Sequence, residues 1–196
     1  MTTRSTFPPI VLASASPRRA ELLRQIVPWF EIIPADLDED ALTTLDPWET
    51  ATRLALSKAQ AIRMLQPGMA IIGADTVVAC NIEGQWQQFG KPSDEDDAIK
   101  VLSILSGREH VVITGLAVLY RNREWVHAET TRVRFRTLTD EEIHRYVDSG
   151  EPRDKAGSYA IQGGAAAFVE SVEGSRTNVI GLPLERLKQM LDEAFG

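Results

Sequence analysis

Two adjacent arginines stand at the predicted start of a helix, where they could bind an anion. The segment Ser14–Arg19 follows a short apolar run, and its Ser16 and Pro17 are typical of an N-cap and a first helical position. A helix N-terminus offers unpaired backbone N–H groups and the positive end of the helix dipole, so it attracts anions. Arg18 and Arg19 oppose that dipole unless an anion is bound there. The pattern indicates a site for a phosphate chain; the alternative is a pair of arginines that face solvent or pair with nearby acidic side chains.

An aspartate interrupts an apolar stretch that otherwise predicts a buried strand. Asp75 lies between Ile71–Ile72 and Val77–Val78, and Thr76 adds a hydroxyl beside its carboxylate. A buried, ionised carboxylate needs a cation or several hydrogen-bond donors. Three roles are therefore open for Asp75: a ligand of a divalent metal, a general base that activates water, or half of a structural ion pair.

A lysine falls in the apolar stripe of a predicted helix. Lys58 lies four residues after Leu54 and four before Ile62, so its side chain faces the core or the edge of a cleft. Lysines seldom occupy such positions without a partner. Asp75 or a phosphate would serve, and the alternative is an aliphatic stem that carries its ammonium out to solvent.

A glycine-containing loop late in the chain combines charge, an aromatic ring and an amide. It runs from Asp154 to Gly163 and includes Tyr159 and Gln162. These groups suit recognition of the edge of a nucleotide base, although a plain surface loop would have a similar composition.

Several common catalytic motifs are excluded. Gly90-Lys91-Pro92 resembles a P-loop only superficially, because five residues separate Gly84 from Gly90 and proline replaces the required Ser or Thr. The sequence has no G-x-G-x-x-G, no G-x-S-x-G and no Cys/His spacing typical of zinc. The three histidines are scattered and are interpreted as structural or surface residues: His110, His127 and His144.

Helices and strands alternate along the chain, with hairpins between some of them. Helices are predicted over Pro17–Arg24, Pro47–Met64, Asp94–Ser106, from Thr139 to Gly150, and after Pro183 to about Phe195. Strands are predicted over Ile10–Ala13, Phe30–Ile33, Ala70–Ala79 with a polar interruption, His110–Tyr120, Trp125–Phe135 and Ala167–Val172. The pattern predicts an α/β fold, with helices flanking a mixed twisted sheet.

Length and charge limit the possible partners. The 196 residues suffice for a single domain, which we expect to span 1–196, and 21 basic against 28 acidic side chains give a net charge of −7. That balance excludes non-specific binding to long nucleic acid, whereas a local basic pocket could still hold a small phosphorylated ligand. Cys80 is the single cysteine, no apolar run is long enough to span a membrane, and Met1–Thr6 lacks the apolar core of a secretion signal. We therefore expect a cytoplasmic protein.

Taken together, these segments resemble the Maf family of nucleoside triphosphate pyrophosphatases. The matching motifs occur in the family's order over nearly the whole chain, and they are Leu12–Arg19 with Glu21–Leu23, Lys58–Ala59, Gly73–Thr76, Gly90–Pro92, Ser106–Gly107 with His110, Thr114–Gly115, Asp154–Gly157, Ile161–Gly163 and Gly181–Leu184. Each motif alone is weak evidence, but the ordered set is specific.

The resemblance implies two lobes around a deep cleft, as in inosine triphosphatase-like proteins, and hydrolysis of a nucleoside triphosphate to the monophosphate and pyrophosphate with Mg²⁺ or Mn²⁺. It implies that a water activated by the metal or by Asp75 attacks the α-phosphorus, with Asp38 as a second metal ligand. The positions that match phosphate contacts are Ser14, Arg18, Lys58 and Lys91, and those associated with substrate selection are Arg19, Thr76 and Gln162. The Asp154–Gly157 and Ile161–Gly163 motifs resemble the branch that acts on dTTP and UTP, with modified pyrimidine nucleotides as further candidates.

The sequence departs from the family pattern in the same region. Ala160 stands where that branch often has glycine, and Ser175–Arg176 replaces a frequent Asp-Tyr pair. A non-catalytic, nucleotide-binding regulator of septum formation is the alternative function, and a homodimer is a family-level expectation.

Overall fold

Three long strands form the centre of the protein. The computed structural model describes residues 8–196, so the predicted absence of a secretion signal at Met1–Thr6 lies outside the described residues. The strands in this range are β1 (Ile10–Leu12), β2 (Glu31–Ile32), β3 (Ala70–Ile82), β4 (Gln85–Phe89), β5 (Glu109–Tyr120), β6 (Arg123–Phe135) and β7 (Val169–Glu173). Their order is β2-β1-β3-β5-β6-β7, and β4 pairs with β3 off this path. The pairs β2-β1 and β1-β3 are parallel and all others are antiparallel, which confirms the predicted mixed sheet.

The helices pack on both faces of this sheet. Their bounds are α1 (Pro17–Arg24), α2 (Pro47–Leu65), α3 (Glu95–Leu105), α4 (Asp140–Asp148), α5 (Arg176–Ile180) and α6 (Leu184–Phe195). Short 3₁₀ turns cover Asp40–Leu42, Glu151–Asp154, Ala156–Ser158 and Gly164–Phe168. Among the described residues, none of these helices has the length and apolar character needed to cross a bilayer.

Helix α2 lies directly against the backbone of β3 and β5. A Cβ added to Gly73 would overlap the carbonyl oxygen of Ala55, and one added to Gly115 would overlap that of Ala51. Glycine at both strand positions is therefore required by the approach of the helix. This contact brings the Lys58 side chain of α2 next to the middle of β3.

Two of the four apolar clusters among the described residues lie at the two ends of the long strands. One contains residues of β1, α1 and α6, including Leu12, Leu23 and Leu187. The other contains residues of α3, α4 and the turns after them, including Leu102 and Phe168. The long strands belong to both cores, and the cleft opens between them, so the fold has the two lobes that were expected.

Two elements were absent from the sequence interpretation. Strand β4 is mostly exposed, and its Gln-Trp-Gln-Gln-Phe sequence lacks the apolar alternation that marks a half-buried strand. The turn before it uses Glu83 and Gly84 at φ 53° and 86°, as a tight hairpin requires. Helix α5 has five residues, too few to show a helical period, and it begins at Ser175, whose side chain accepts a hydrogen bond from Asn178 N.

Candidate active site

A cleft of about 760 Å³ lies between the lobes, and both lobes contribute to its lining. One wall carries the β1–α1 connection and the middle of β3. The other wall carries the segment after α4. The predicted site residues that line this cleft are Ser14, Arg18, Arg19, Lys58, Asp75, Thr76, Lys91 and Gln162. The structure thus brings together all predicted substrate-contacting residues and Asp75.

The turn from β1 into α1 forms as its capping residues predict. The Ser16 side chain accepts a hydrogen bond from Arg19 N, and Pro17 takes the first helical position. The Ser14 hydroxyl accepts a bond from Ser16 N at 3.2 Å, which fixes the strand end against the helix start. The N-terminal end of α1 therefore points into the cleft, as an anion site requires.

Arg19 is held by fixed groups of the sheet and of α5. Its Nη1 donates to Ser14 Oγ at 3.1 Å, its Nη2 to Thr76 Oγ1 at 3.0 Å and its Nε to the carbonyl of Gly181 at 2.9 Å. Burial lowers the pKa of Arg19, although the nearby Asp75 acts in the opposite direction. Within the described chain these three contacts use three of the five N–H groups of the guanidinium, which leaves two for a ligand.

Arg18 reaches across the cleft instead. Its Nη1 donates to Asp154 Oδ2 at 3.0 Å, which joins the start of α1 to the opposite wall. The Arg18 side chain is 33% exposed and that of Asp154 63% exposed. The two adjacent arginines are both half-buried but differ in their partners: Arg19 is held by three hydrogen bonds, whereas Arg18 pairs with an exposed carboxylate.

Lys58 and Asp75 form an ion pair at the centre of the cleft. Lys58 Nζ lies 2.6 Å from Asp75 Oδ1 and 2.7 Å from Glu39 Oε1. Asp75 is 7% exposed, and Lys58 is 8% exposed. Burial alone would raise the pKa of Glu39, but the hydrogen bond and charge of Lys58 outweigh it and lower that pKa below its usual range. Of the alternatives left open for Lys58, the structure shows the pairing with Asp75, and an ion pair is one of the three roles left open for Asp75.

The opposite wall is held by a close backbone approach at Gly157 and by a buried hydrogen bond behind it. Gly157 adopts φ +68° and lies so close to Val78 that an added Cβ would be 2.8 Å from the valine side chain. His110 Nε2 and the Tyr159 hydroxyl hydrogen-bond at 2.9 Å inside the lobe. Burial lowers the pKa of His110 to about 3, so the imidazole is neutral and structural, as the sequence indicated. Gln162 stands on this wall, is exposed and lines the cleft.

Comparison with known proteins decides the family. The model of the Maf-like protein family matches residues 9–194. The chain belongs to the Maf family. A relative from Symbiobacterium thermophilum named dTTP/UTP pyrophosphatase is 47% identical over 188 residues, which are 95% of this chain and 94% of the relative. Another from Geobacter sp. (strain M21), with the same name, is 50% identical and covers 89% of this chain and 90% of its own.

The fold is shared with more distant proteins. The structure of a HAM1 protein from Coxiella burnetii superposes with a TM-score of 0.51 at 20% identity, covering 95% of this chain and 100% of that protein. The Staphylococcus aureus Ham1 protein gives the same TM-score at 16% identity, covering 94% and 98%. At these identities the likeness establishes only the architecture of this Maf protein and nothing about its activity.

Asp38 does not lie among the cleft residues of this Maf chain. Its side chain is exposed and accepts a hydrogen bond from Ala41 N at 3.2 Å, within the 3₁₀ turn at Asp40–Leu42. The neighbouring Glu39 reaches Lys58 instead. The acidic loop has no periodicity from which the inward-facing carboxylate could be chosen, so the sequence alone could not indicate Glu39.

The donor set fits a divalent cation that is shared with a triphosphate. The described residues contain no cluster of three or more His, Cys, Asp or Glu side chains arranged for a metal. Asp75 and Glu39 nevertheless converge on one ammonium, so two carboxylates face the same point. Mg²⁺ is commonly held by one or two carboxylates together with waters and substrate phosphates, which is the arrangement that this cleft permits.

Proposed function

We propose that this protein is a nucleoside triphosphate pyrophosphatase that hydrolyses dTTP and UTP to the monophosphate and pyrophosphate. The observation that carries the proposal is the buried Asp75 carboxylate, which shares one cleft with Arg18, Arg19, Lys58 and Lys91. A buried acid surrounded by cations suits a reaction in which a highly charged anion is held beside a water. The names of the relatives from Symbiobacterium and Geobacter support the same reaction and the same two substrates.

The cations bind and orient the substrate. The unused N–H groups of Arg19, together with Arg18 and Lys91, are placed to donate to phosphate oxygens, and the positive end of the α1 dipole adds to them. Catalysis of phosphoryl transfer depends mainly on such positioning and on stabilisation of developing charge. Asp75 and Glu39 would hold the Mg²⁺ or Mn²⁺, which when bound supplies further neutralisation of the triphosphate.

Asp75 acts on the attacking water. Its ion pair with Lys58 orients the carboxylate, so that it can accept a proton from a water beside the α-phosphorus. A bond forms between the water oxygen and the α-phosphorus while the bond from that phosphorus to the bridging oxygen breaks. Pyrophosphate leaves with its charge held by the basic side chains.

The wall that carries Gln162 selects the base. Its amide offers both a donor and an acceptor at an exposed position on the cleft lining, which suits the carbonyl and imide groups of thymine and uracil. Modified pyrimidine nucleotides with the same edge belong to the same substrate class. The cytoplasm, where the buried thiol of Cys80 stays reduced, is the compartment that we propose.

A substrate panel tests the proposal. The purified protein is incubated with Mg²⁺ and dTTP, UTP, dCTP, dATP or dGTP, and the products are separated as monophosphate, pyrophosphate and inorganic phosphate. We expect pyrophosphate and monophosphate in equal amounts, with dTTP and UTP as the fastest substrates, and little turnover when EDTA replaces the metal. Nucleotide that is bound but recovered unchanged would instead indicate a non-catalytic regulator.

A further inference from the structure

A chain of buried hydroxyl groups connects Arg19 to the interior of the sheet. Thr76 on β3 and Thr114 on β5 stand opposite each other in the strand register, and their hydroxyl oxygens are 3.0 Å apart. Thr114 Oγ1 in turn donates to the backbone carbonyl of Asn178 in α5 at 3.1 Å. Thr114 and Asn178 are both 0% exposed. The series of contacts therefore begins at the cleft and ends in the buried interior.

The number of hydroxyl hydrogens determines which group donates and which accepts in each of these hydrogen bonds. A hydroxyl has one hydrogen, and that of Thr114 is used on the Asn178 carbonyl, which can only accept. Thr76 must therefore donate its own hydrogen to Thr114 Oγ1. The hydroxyl oxygen of Thr76 is left to accept, and Arg19 Nη2 donates to it at 3.0 Å. Each hydroxyl in this series therefore has one orientation. Thr114 sets the direction of the Thr76 hydroxyl, and thereby of the Thr76 lone pair that accepts from Arg19.

The segment that contains Asn178 also contacts the other edge of Arg19. Helix α5 contains Asn178, and Gly181, which follows α5, supplies the carbonyl that accepts from Arg19 Nε at 2.9 Å. Gly181 adopts φ +121°, a backbone conformation in which a side chain would be strained. Thr76 and α5 thus hold two edges of one guanidinium, and Thr114 connects them.

We propose that Thr114 is a positioning residue for substrate binding, which acts by orienting the Thr76 hydroxyl and, through it, Arg19. Thr114 does not line the cleft. Its loss would leave the Thr76 hydroxyl hydrogen without its acceptor, so the hydroxyl would rotate and the guanidinium would lose a fixed partner. The inference rests on the proposed function, in which Arg19 binds the triphosphate.

Thr131 provides a matched control. It is also 0% exposed and lies on the neighbouring strand β6. Its hydroxyl accepts from Asn178 Nδ2 at 3.0 Å and donates to the Ser175 carbonyl at 3.0 Å, so it too supports α5. Within the described contacts, however, it forms no hydrogen bond with Thr76. A change at Thr131 therefore perturbs α5 and the same interior while the hydrogen bonds from Thr114 to Thr76 and from Thr76 to Arg19 stay in place.

The test compares Thr114→Val, Thr114→Ser and Thr131→Val. Valine has the shape of threonine without the hydroxyl, and serine retains the hydroxyl. KM and kcat for dTTP are measured with Mg²⁺, the dissociation constant of dTTP is measured by calorimetry in EDTA, and thermal unfolding is recorded for each variant. Should Thr114→Val fail to fold, Thr114→Ala takes its place.

We expect Thr114→Val to raise KM and the dTTP dissociation constant at least fivefold, with a smaller change in kcat. Thr114→Ser should stay within twofold of the wild type, and Thr131→Val should lower the melting temperature while leaving KM within twofold. Equal effects of the two valine variants on KM would overturn the inference. If the wild type binds dTTP but releases no pyrophosphate, the proposed function fails, while the dissociation constants still decide the role of Thr114.

Discussion

The two walls of the cleft are built in different ways. The wall of β1, α1 and β3 consists of regular elements, and its half-buried Arg19 is bonded to Ser14, Thr76 and Gly181. The wall after α4 consists of 3₁₀ turns, and its Asp154 meets Arg18 in an exposed ion pair. A rigid wall can orient a substrate, whereas an exposed ion pair can exchange one anion for another. The comparison assigns precise positioning to the first wall and exchange to the second.

The largest expected difference lies between the two adjacent arginines. Arg19→Lys should lower kcat/KM for dTTP by about 100-fold, because a lysine cannot reproduce the planar fork and each charge-assisted hydrogen bond contributes about 1.5–3 kcal/mol. Arg18→Lys should cost less than about fivefold, since an exposed ion pair contributes roughly 0–1 kcal/mol. Steady-state release of pyrophosphate measures both. Equal losses would show that the two environments do not differ in function.

A smaller effect is expected from the exposed partner of Arg18. Asp154→Asn should lower KM for dTTP by up to about fivefold. The triphosphate then no longer competes with the Asp154 carboxylate for Arg18, and an exposed ion pair of this kind contributes roughly 0–1 kcal/mol. Glu95→Gln is the matched control, since it breaks an exposed ion pair with Arg153 at 3.0 Å that lies outside the cleft lining. A higher KM in Asp154→Asn, with the control unchanged, would mean that the ion pair assists binding.

The lobe that carries the second wall should make the free energy of unfolding depend on pH. The folded protein holds His110 with a pKa of about 3, mainly because of burial, whereas an unfolded histidine titrates near 6.5. Between these values the unfolded chain binds a proton that the folded chain does not, so stability falls as the pH falls, by up to about 1.4 kcal/mol per pH unit. Denaturant unfolding of the wild type and of His110→Gln at pH 4.5 and 6.5 measures this contribution.

The variant should show a shallower loss of stability than the wild type over that interval. His144→Gln, which changes an exposed histidine of α4, controls for the loss of a histidine as such. An identical slope in His110→Gln and the wild type would contradict the role assigned to burial of the His110–Tyr159 pair.

The first wall could be predicted from the sequence because local rules build it. Ser16 and Pro17 set the start of α1, which runs from Pro17 to Arg24 as expected. The apolar neighbours of Asp75 predicted its burial, and the position of Lys58 in an apolar stripe predicted a carboxylate or phosphate partner. Each of these inferences depends on residues within a few positions of the one in question.

The second wall and the interior links could not be predicted in the same way. Arg18 and Asp154 are 136 positions apart, and only the packing of the two lobes brings them together. The choice of Glu39 over Asp38 depends on the path of an irregular loop, and α5 is too short for a helical period. Asn178 therefore showed no sign of its buried contacts, since an asparagine is equally typical of a turn.

The most direct test of the central claim replaces the buried carboxylate. Asp75→Asn keeps the shape of the side chain but removes its ability to accept a proton, and general base catalysis contributes about 10²–10⁴-fold to such reactions. With dTTP and Mg²⁺, we predict that pyrophosphate release falls at least 100-fold while calorimetry shows that dTTP still binds and thermal unfolding shows a folded protein. Turnover close to that of the wild type in this variant would contradict the assignment of Asp75 as the catalytic residue.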